Sequence, residues 1–401
     1  MPASLATPET TPLQEPIGRQ GARIPAASEE ARPTLFTPGP VMLEDAACRD
    51  GARQMVYHRT TDFSRCVSRC EHLLRQACGA AAEDRVMMLT ASGTAGMEAA
   101  VLNLFSPGDR VLVVNAGDFG QRFVDICELH GLGVTQIRLA PGRAAAWQDL
   151  AVHKAGGFVG MLVTHHETST GALLDLDLVS RFCREQGLLL VVDAVGSFLA
   201  DPISMSGSAI DALIFSSQKA LALPPGLSFV VLSGRGQRQV RATPRRSYYL
   251  DLGRYLDDIP RGQTPFTPAI GIIRQLEGRL ERVLARGAGT HIDIVRSLAL
   301  DFRSKVRGLP FRILAERPSN AVTALEPIDG TPPGHFVSRL ADDHAMFVCP
   351  NGGPLRDRVF RVGHLGALSP GDNTRLVHAI RGIVDHLLIQ KFRENLNPAH
   401  T

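Results

Sequence analysis

Lysine is nearly missing from this chain of 401 residues. Of 43 basic residues only Lys154, Lys219, Lys305 and Lys391 are lysines. The rest are arginines, which cannot form Schiff bases, so any chemistry that needs a lysine amine has four candidates. An excess of charge is missing too, since 43 basic against 40 acidic residues leaves +3. That is too little to coat a phosphate backbone or an anionic membrane, so small molecules are expected as partners, with no nucleic acid and no membrane. No apolar run approaches the roughly 20 residues that a membrane helix needs, and the first residues lack the apolar core of a secretory leader. A cytoplasmic location is the expectation. The seven cysteines are odd in number and scattered, which suits reduced thiols better than a disulfide framework. No G-x-G-x-x-G follows the first strand pattern, and a dinucleotide-binding reading loses its main support.

What is present suits a large soluble fold. With 44% hydrophobic and 21% charged residues the chain can bury a sizeable core, and its length favours two packed domains. Residues 1–33 carry six prolines and six alanines without hydrophobic period, and read as a disordered tail. From Val86 onward apolar runs alternate with helical patterns, which predicts a mostly parallel sheet covered on both faces. The runs are Val86–Leu89, Arg110–Val114, Val134–Arg138, Phe158–Val163, Leu188–Val192, Ala212–Phe215 and Leu227–Leu232. Seven strands are therefore expected. Past Pro268 the pattern changes to arginine-rich amphipathic segments, short strands near Ala321–Ala324 and Met346–Cys349, and a last helix capped by Ser369 with Pro370 at its first turn. This divides the chain into a tail (1–33), an N-terminal arm (34–60), a large domain (61–270) and a smaller C-terminal α+β domain (271–401).

Three features carry chemistry. Lys219 follows the buried run Ala212–Phe215 and precedes Leu223-Pro224-Pro225-Gly226, which cannot continue a helix. That sets it just past the C-terminal end of a strand, where open α/β sheets bind ligands and where desolvation readies an amine for imine formation. A solvated charge is the bland alternative for any lysine. Asp193 ends the apolar run Leu188–Val192 at the same edge; it needs a partner there, either a pyridinium nitrogen or the N-terminus of a helix. Ser92-Gly93-Thr94 lies between the first strand and a helix carrying Met97, Val101, Leu104 and Phe105 on one face, a place where backbone N–H groups bind anions, although many strand-to-helix turns share these residues.

Together these pieces resemble the class V aminotransferases of pyridoxal-phosphate fold type I, in particular the alanine–glyoxylate and serine–pyruvate type. The resemblance runs from Leu35-Phe36-Thr37-Pro38-Gly39-Pro40 past Arg361-Val362-Gly363-His364-Leu365-Gly366. It includes Thr90–Ala99, Glu167-Thr168-Ser169-Thr170-Gly171, Val192-Asp193-Ala194, Ser217-Gln218-Lys219-Ala220 with Pro224-Pro225-Gly226, and Gln263-Thr264-Pro265-Phe266-Thr267-Pro268. It implies pyridoxal 5'-phosphate as cofactor, Lys219 as its Schiff-base lysine and Asp193 as partner of the pyridine nitrogen. Phe119 would stack on the ring, Thr168 would meet the phenolic oxygen, and Ser92, Gly93, Thr94 and Gln218 would cradle the phosphate. A homodimer is implied, with Thr267 and Thr264 of one subunit completing the other's phosphate site. Arg361 would take the substrate α-carboxylate, with Gly39 also at the substrate. Cys349-Pro350-Asn351-Gly352-Gly353 departs from the alanine-glycine-glycine run of relatives.

The expected activity is transfer of an amino group from a small amino acid to a 2-oxo acid such as glyoxylate or pyruvate. A lyase that eliminates from cysteine conjugates and a decarboxylating deaminase share the same early chemistry and are the alternatives. No metal is expected: Cys66, Cys70 and Cys78 lack a second ligand cluster, and His165-His166-Glu167 lacks zinc-site spacing and reads as lining of the cofactor pocket. Cys349 stands too close to Arg361 for the long mobile loop of a desulfurase.

Overall fold

The computed structural model describes residues 33–396, with side chains through residue 390. Apart from Pro33, the expected tail lies outside the described residues. All seven predicted runs form strands of one sheet: β1 (Arg85–Thr90), β2 (Arg110–Asn115), β3 (Gly133–Arg138), β4 (Gly160–Thr164), β5 (Leu189–Asp193), β6 (Ala212–Ser216) and β7 (Leu227–Leu232). Their order is β1-β7-β6-β5-β4-β2-β3. β2 to β6 pair in parallel, and β7 runs antiparallel to both β6 and β1.

Alternation of side chains divides the sheet between two cores. Met87, Leu89, Val111, Val113, Leu162, Val191 and Ile214 face one side, with the helix Gly93–Leu104 that buries Met97, Val101 and Leu104. Val86, Met88, Leu112, Met161, Leu190, Val192 and Phe215 face the other. The helix Thr61–Ala77 covers that second side with Phe63, Cys66, Cys70 and Leu74, and the helix Ile270–Arg286 adds Ile273, Leu276 and Leu280. No group of metal-binding side chains occurs among the described residues.

A second sheet has five strands in the order Thr34–Phe36, Met346–Pro350, Phe360–Gly363, Val322–Pro327 and Phe311–Ile313. Phe36, Phe302, Phe336, Phe360, Leu376 and Ile380 form its core. Strand Phe360–Gly363 is antiparallel to both neighbours, which sets Arg361 opposite Cys349 on one side and Ala324 on the other. The last helix, Pro370–Leu396, starts as its sequence predicts. Ser369 N–H donates to Asp372 Oδ2 at 2.8 Å while Asp372 N–H donates to Ser369 Oγ at 3.3 Å, a reciprocal cap. Among the described residues no helix is long and apolar enough to cross a membrane.

Candidate active site

Strands β5 and β6 end side by side, and so bring Asp193 and Lys219 to one edge. The loop after β6 is closed by Ser217, whose hydroxyl donates to Pro224 O at 2.7 Å and accepts from Leu227 N–H at 3.2 Å. Lys219, partly buried, is pushed down to about 8, first by loss of solvent and then by the positive charge of Arg361. Asp193 is 2% exposed, and its Oδ1 accepts from Val195 N–H at 2.9 Å. Burial lifts its carboxyl to about 6, and the nearby Glu167 charge adds to the rise. Among the described residues no cation forms an ion pair with Asp193. The other lysines stand elsewhere: Lys154 pairs with Glu185 at 3.1 Å, Lys305 with Asp301 at 2.7 Å, and Lys391 lies in the last helix.

Ser92 is the N-cap of helix Gly93–Leu104 with extended backbone, yet its exposed side chain makes no capping bond. Its hydroxyl and the Gly93 and Thr94 N–H groups make no hydrogen bond among the described residues, while the Ala95 N–H donates to Ser92 O at 3.0 Å. Thr94 Oγ1 accepts from Arg122 Nη1 at 2.9 Å, and the same guanidinium stands 4.6 Å over the Phe119 ring. Phe119 lies in the first turn of the helix Asp118–Leu129, whose N-cap, Gly117, has no side chain to cap with. Glu167 takes that part: its carboxylate accepts from Phe119 N–H at 3.2 Å, Gly120 N–H at 3.1 Å and Ser169 Oγ–H at 2.6 Å. Burial raises its pKa while these donors oppose the rise. Thr168, the next residue, is 5% exposed.

Arg361 reaches this edge from the smaller sheet. Its Nη1 donates to Thr168 O at 3.4 Å, and its Nη2 donates to Pro350 O at 2.6 Å and Cys349 Sγ at 3.1 Å. Asn351 fastens the same turn, with Nδ2 donating to Ser169 O at 2.7 Å. Gly39 (φ +136°) lies against Lys219, where a Cβ would stand 2.6 Å from Lys219 Cδ and 2.8 Å from Gln218 O. Only glycine leaves that room. Thr264 Oγ1 donates to Phe266 O at 2.7 Å, and Arg59 holds the Thr264 carbonyl at 3.1 Å. Thr267 is exposed. Neither threonine is hydrogen-bonded to Ser92, Gly93, Thr94 or Gln218 within the chain.

Sequence reasoning placed Glu167 only as lining of the cofactor pocket, not as a helix cap, and gave no role to Arg122 or Asn351. Arg122 follows Phe119 by three residues, a helical spacing that signals contact; the other two act across 48 and 182 residues of sequence, which local pattern does not reveal. The donor set fits pyridoxal phosphate. A buried carboxylate without a cation suits a protonated ring nitrogen, a desolvated lysine suits the carbonyl, and an uncapped helix start with a free hydroxyl suits phosphate.

Comparison with known proteins agrees. The model of the family described as aminotransferase class-V matches residues 47–247. The soluble hydrogenase 42 kDa subunit of Anabaena cylindrica is 30% identical over 90% of this chain and 95% of its own length. The alanine–glyoxylate aminotransferase of Callithrix jacchus is 29% identical over 88% of this chain and 87% of its own. Among solved structures, the subgroup IV aspartate aminotransferase of Thermus thermophilus superposes with a TM-score of 0.82 at 34% identity, over 88% of this chain and 99% of that one. Fold, family match and relatives converge: the chain belongs to the class-V aminotransferases, pyridoxal-phosphate enzymes of fold type I.

Proposed function

We propose that this aminotransferase moves the amino group of a small α-amino acid to glyoxylate or pyruvate, as a cytoplasmic homodimer with shared sites. The observation that carries the reading is the meeting of Lys219, Asp193 and Arg361 at one sheet edge, with Asp193 and Arg361 both acting electrostatically on Lys219. When bound, pyridoxal phosphate supplies a carbonyl that takes up the amino group and a ring that withdraws charge from the substrate Cα. Lys219 would hold that carbonyl; set near 8, its Nζ exchanges a proton readily close to neutral pH, which suits carrying the Cα proton. Asp193 would keep the ring nitrogen charged, Phe119 would cover the ring, and Thr168 would orient its phenolic oxygen. Ser92, Gly93, Thr94 and Gln218 would hold the phosphate. Arg361 would clamp the α-carboxylate of amino acid and oxo acid in turn, since a guanidinium fork matches a carboxylate in two parallel hydrogen bonds. Gly39 keeps the space beside Lys219 open for substrate.

Two further observations support the choice of substrates and the dimer. Relatives are named for alanine with glyoxylate and for aspartate. Met55, Tyr57 and Tyr248 are 60%, 67% and 69% exposed, large apolar surface of the kind that marks an interface. Tyr248 and Tyr249 lean on Phe266, next to exposed Thr267. That is the segment expected to serve the partner's phosphate.

The test is a panel of small amino acids incubated with and without glyoxylate or pyruvate. Acceptor-dependent formation of glycine or alanine supports the reading. Catalytic release of ammonia, thiol or carbon dioxide with no acceptor present would replace it with an elimination or decarboxylation.

A further inference from the structure

None of these roles uses His166, at the start of the short hairpin that pairs His166–Glu167 with Ala172–Leu173. The side chain is 2% exposed. Its Nδ1 lies 3.2 Å from Gly196 O. A carbonyl only accepts, so Nδ1 carries the ring's hydrogen. Burial keeps the imidazole neutral, pushed down to about 3. Nε2 is therefore an unprotonated acceptor, and it is buried with no donor among the described residues. An orphan acceptor of this kind is costly unless something in the working enzyme fills it.

The surroundings narrow what that donor is. Residue 196 has to be glycine for the ring to fit, because a Cβ there would stand 2.5 Å from His166 Nδ1 and 3.1 Å from Thr168 Oγ1. His166 thus shares its neighbourhood with the threonine of the proposed cofactor pocket. Three cations act on it: Lys219, Arg303 and Arg361. Arg303 is tied to Thr323 Oγ1 at 2.9 Å and to the Ser319 and Val322 carbonyls. Arg361 is held at both terminal nitrogens by Thr168, Cys349 and Pro350, which fixes its planar guanidinium, and its Nε, itself buried without a partner among the described residues, makes no bond to His166. Lys219 Nζ has no hydrogen bond among the described residues and ends a side chain of four rotatable bonds.

We propose that His166 Nε2 accepts a hydrogen bond from the Lys219 ammonium whenever that lysine is not joined to the cofactor, and so sets how readily Lys219 gives up its proton. His166 is then a positioning residue that acts through Lys219, and the inference rests on Lys219 being the cofactor lysine. The other groups that face Lys219 are Arg361 and Arg122, which favour the free amine, and Asp193 and Cys349, which favour the ammonium. An acceptor at Nε2 adds to the second set.

The experiment reads the ionisation of Lys219 in the cofactor-free protein, by trace acetylation at a series of pH values and mass spectrometry of the Lys219 peptide. His166→Asn keeps a donor facing Gly196 O but ends short of the Nε2 position. It should move the labelling midpoint down by about one pH unit. His166→Gln, whose amide oxygen can reach the Nε2 position, should hold the midpoint near that of the parent. If His166→Asn does not fold, Gly196→Ala, which crowds the ring from the Nδ1 side, carries the same expectation of a lowered midpoint. An unchanged midpoint in the variant that removes or displaces the acceptor, or a midpoint moved by His166→Gln alone, would overturn the proposal. Because no amino donor or acceptor is present, absence of transamination would leave this result standing, and its failure would leave the transaminase reading intact.

Discussion

Burial moves Asp193 and Lys219 in opposite directions, one up to about 6 and the other down to about 8, so each is nearer to neutrality than in water. For the cofactor-free protein this has a thermodynamic consequence. A carboxyl whose pKa is raised on folding binds more proton in the native state, so its contribution is most favourable below the unfolded value of 3.8 and is lost as pH rises through about 6. The loss amounts to about 3 kcal/mol. Asp193→Asn should therefore gain thermal stability over the parent at pH 7.5 and lose that gain near pH 4, while turnover falls by orders of magnitude because the ring nitrogen loses its charge partner. Calorimetry of both cofactor-free proteins at the two pH values checks the first part. Arg361→Ala should lower kcat/KM for α-carboxylate substrates by an amount worth about 2–5 kcal/mol. Unchanged kinetics would place the carboxylate elsewhere.

At the level of elements, the pocket depends on how the start of helix Asp118–Leu129 is fastened to the turn after β4. Gly117 cannot cap that helix, and Glu167 does so from another part of the chain. Glu167→Ala leaves the Phe119 and Gly120 N–H groups without their acceptor, and should cost about 1–3 kcal/mol of stability. Since the same bonds locate the Phe119 ring, cofactor affinity should fall as well, measurable by quenching of protein fluorescence during titration with pyridoxal phosphate. A variant that lost stability but bound cofactor as tightly would detach Phe119 from this role. Here the sequence was readable only in part. The strands were plain because each is a short apolar run between turn residues, and Lys219 stood out because Pro224-Pro225-Gly226 fixes where its loop must turn. Glu167 was visible as part of a motif but not as a cap, because the helix it caps begins 49 residues earlier. Gly39 against Lys219, and Gly196 against His166, are steric facts of tertiary packing with no local signature.

For the whole molecule, the site is a joint product of two sheets: β5 and β6 supply Asp193 and Lys219, and the smaller sheet supplies Arg361. Its phosphate end is proposed to require a second copy, through Thr267 and the exposed aromatic surface around Tyr57 and Tyr248. Tyr248→Asp with Tyr57→Asp should shift sedimentation toward monomer and reduce cofactor retention together; an active monomer would refute shared sites. The scarcity of lysine makes the central assignment unusually direct to test. The holoenzyme is reduced with borohydride, digested, and its peptides are sequenced by mass spectrometry. The account predicts the pyridoxyl group on Lys219 alone, and finding it on Lys154, Lys305 or Lys391 would contradict it.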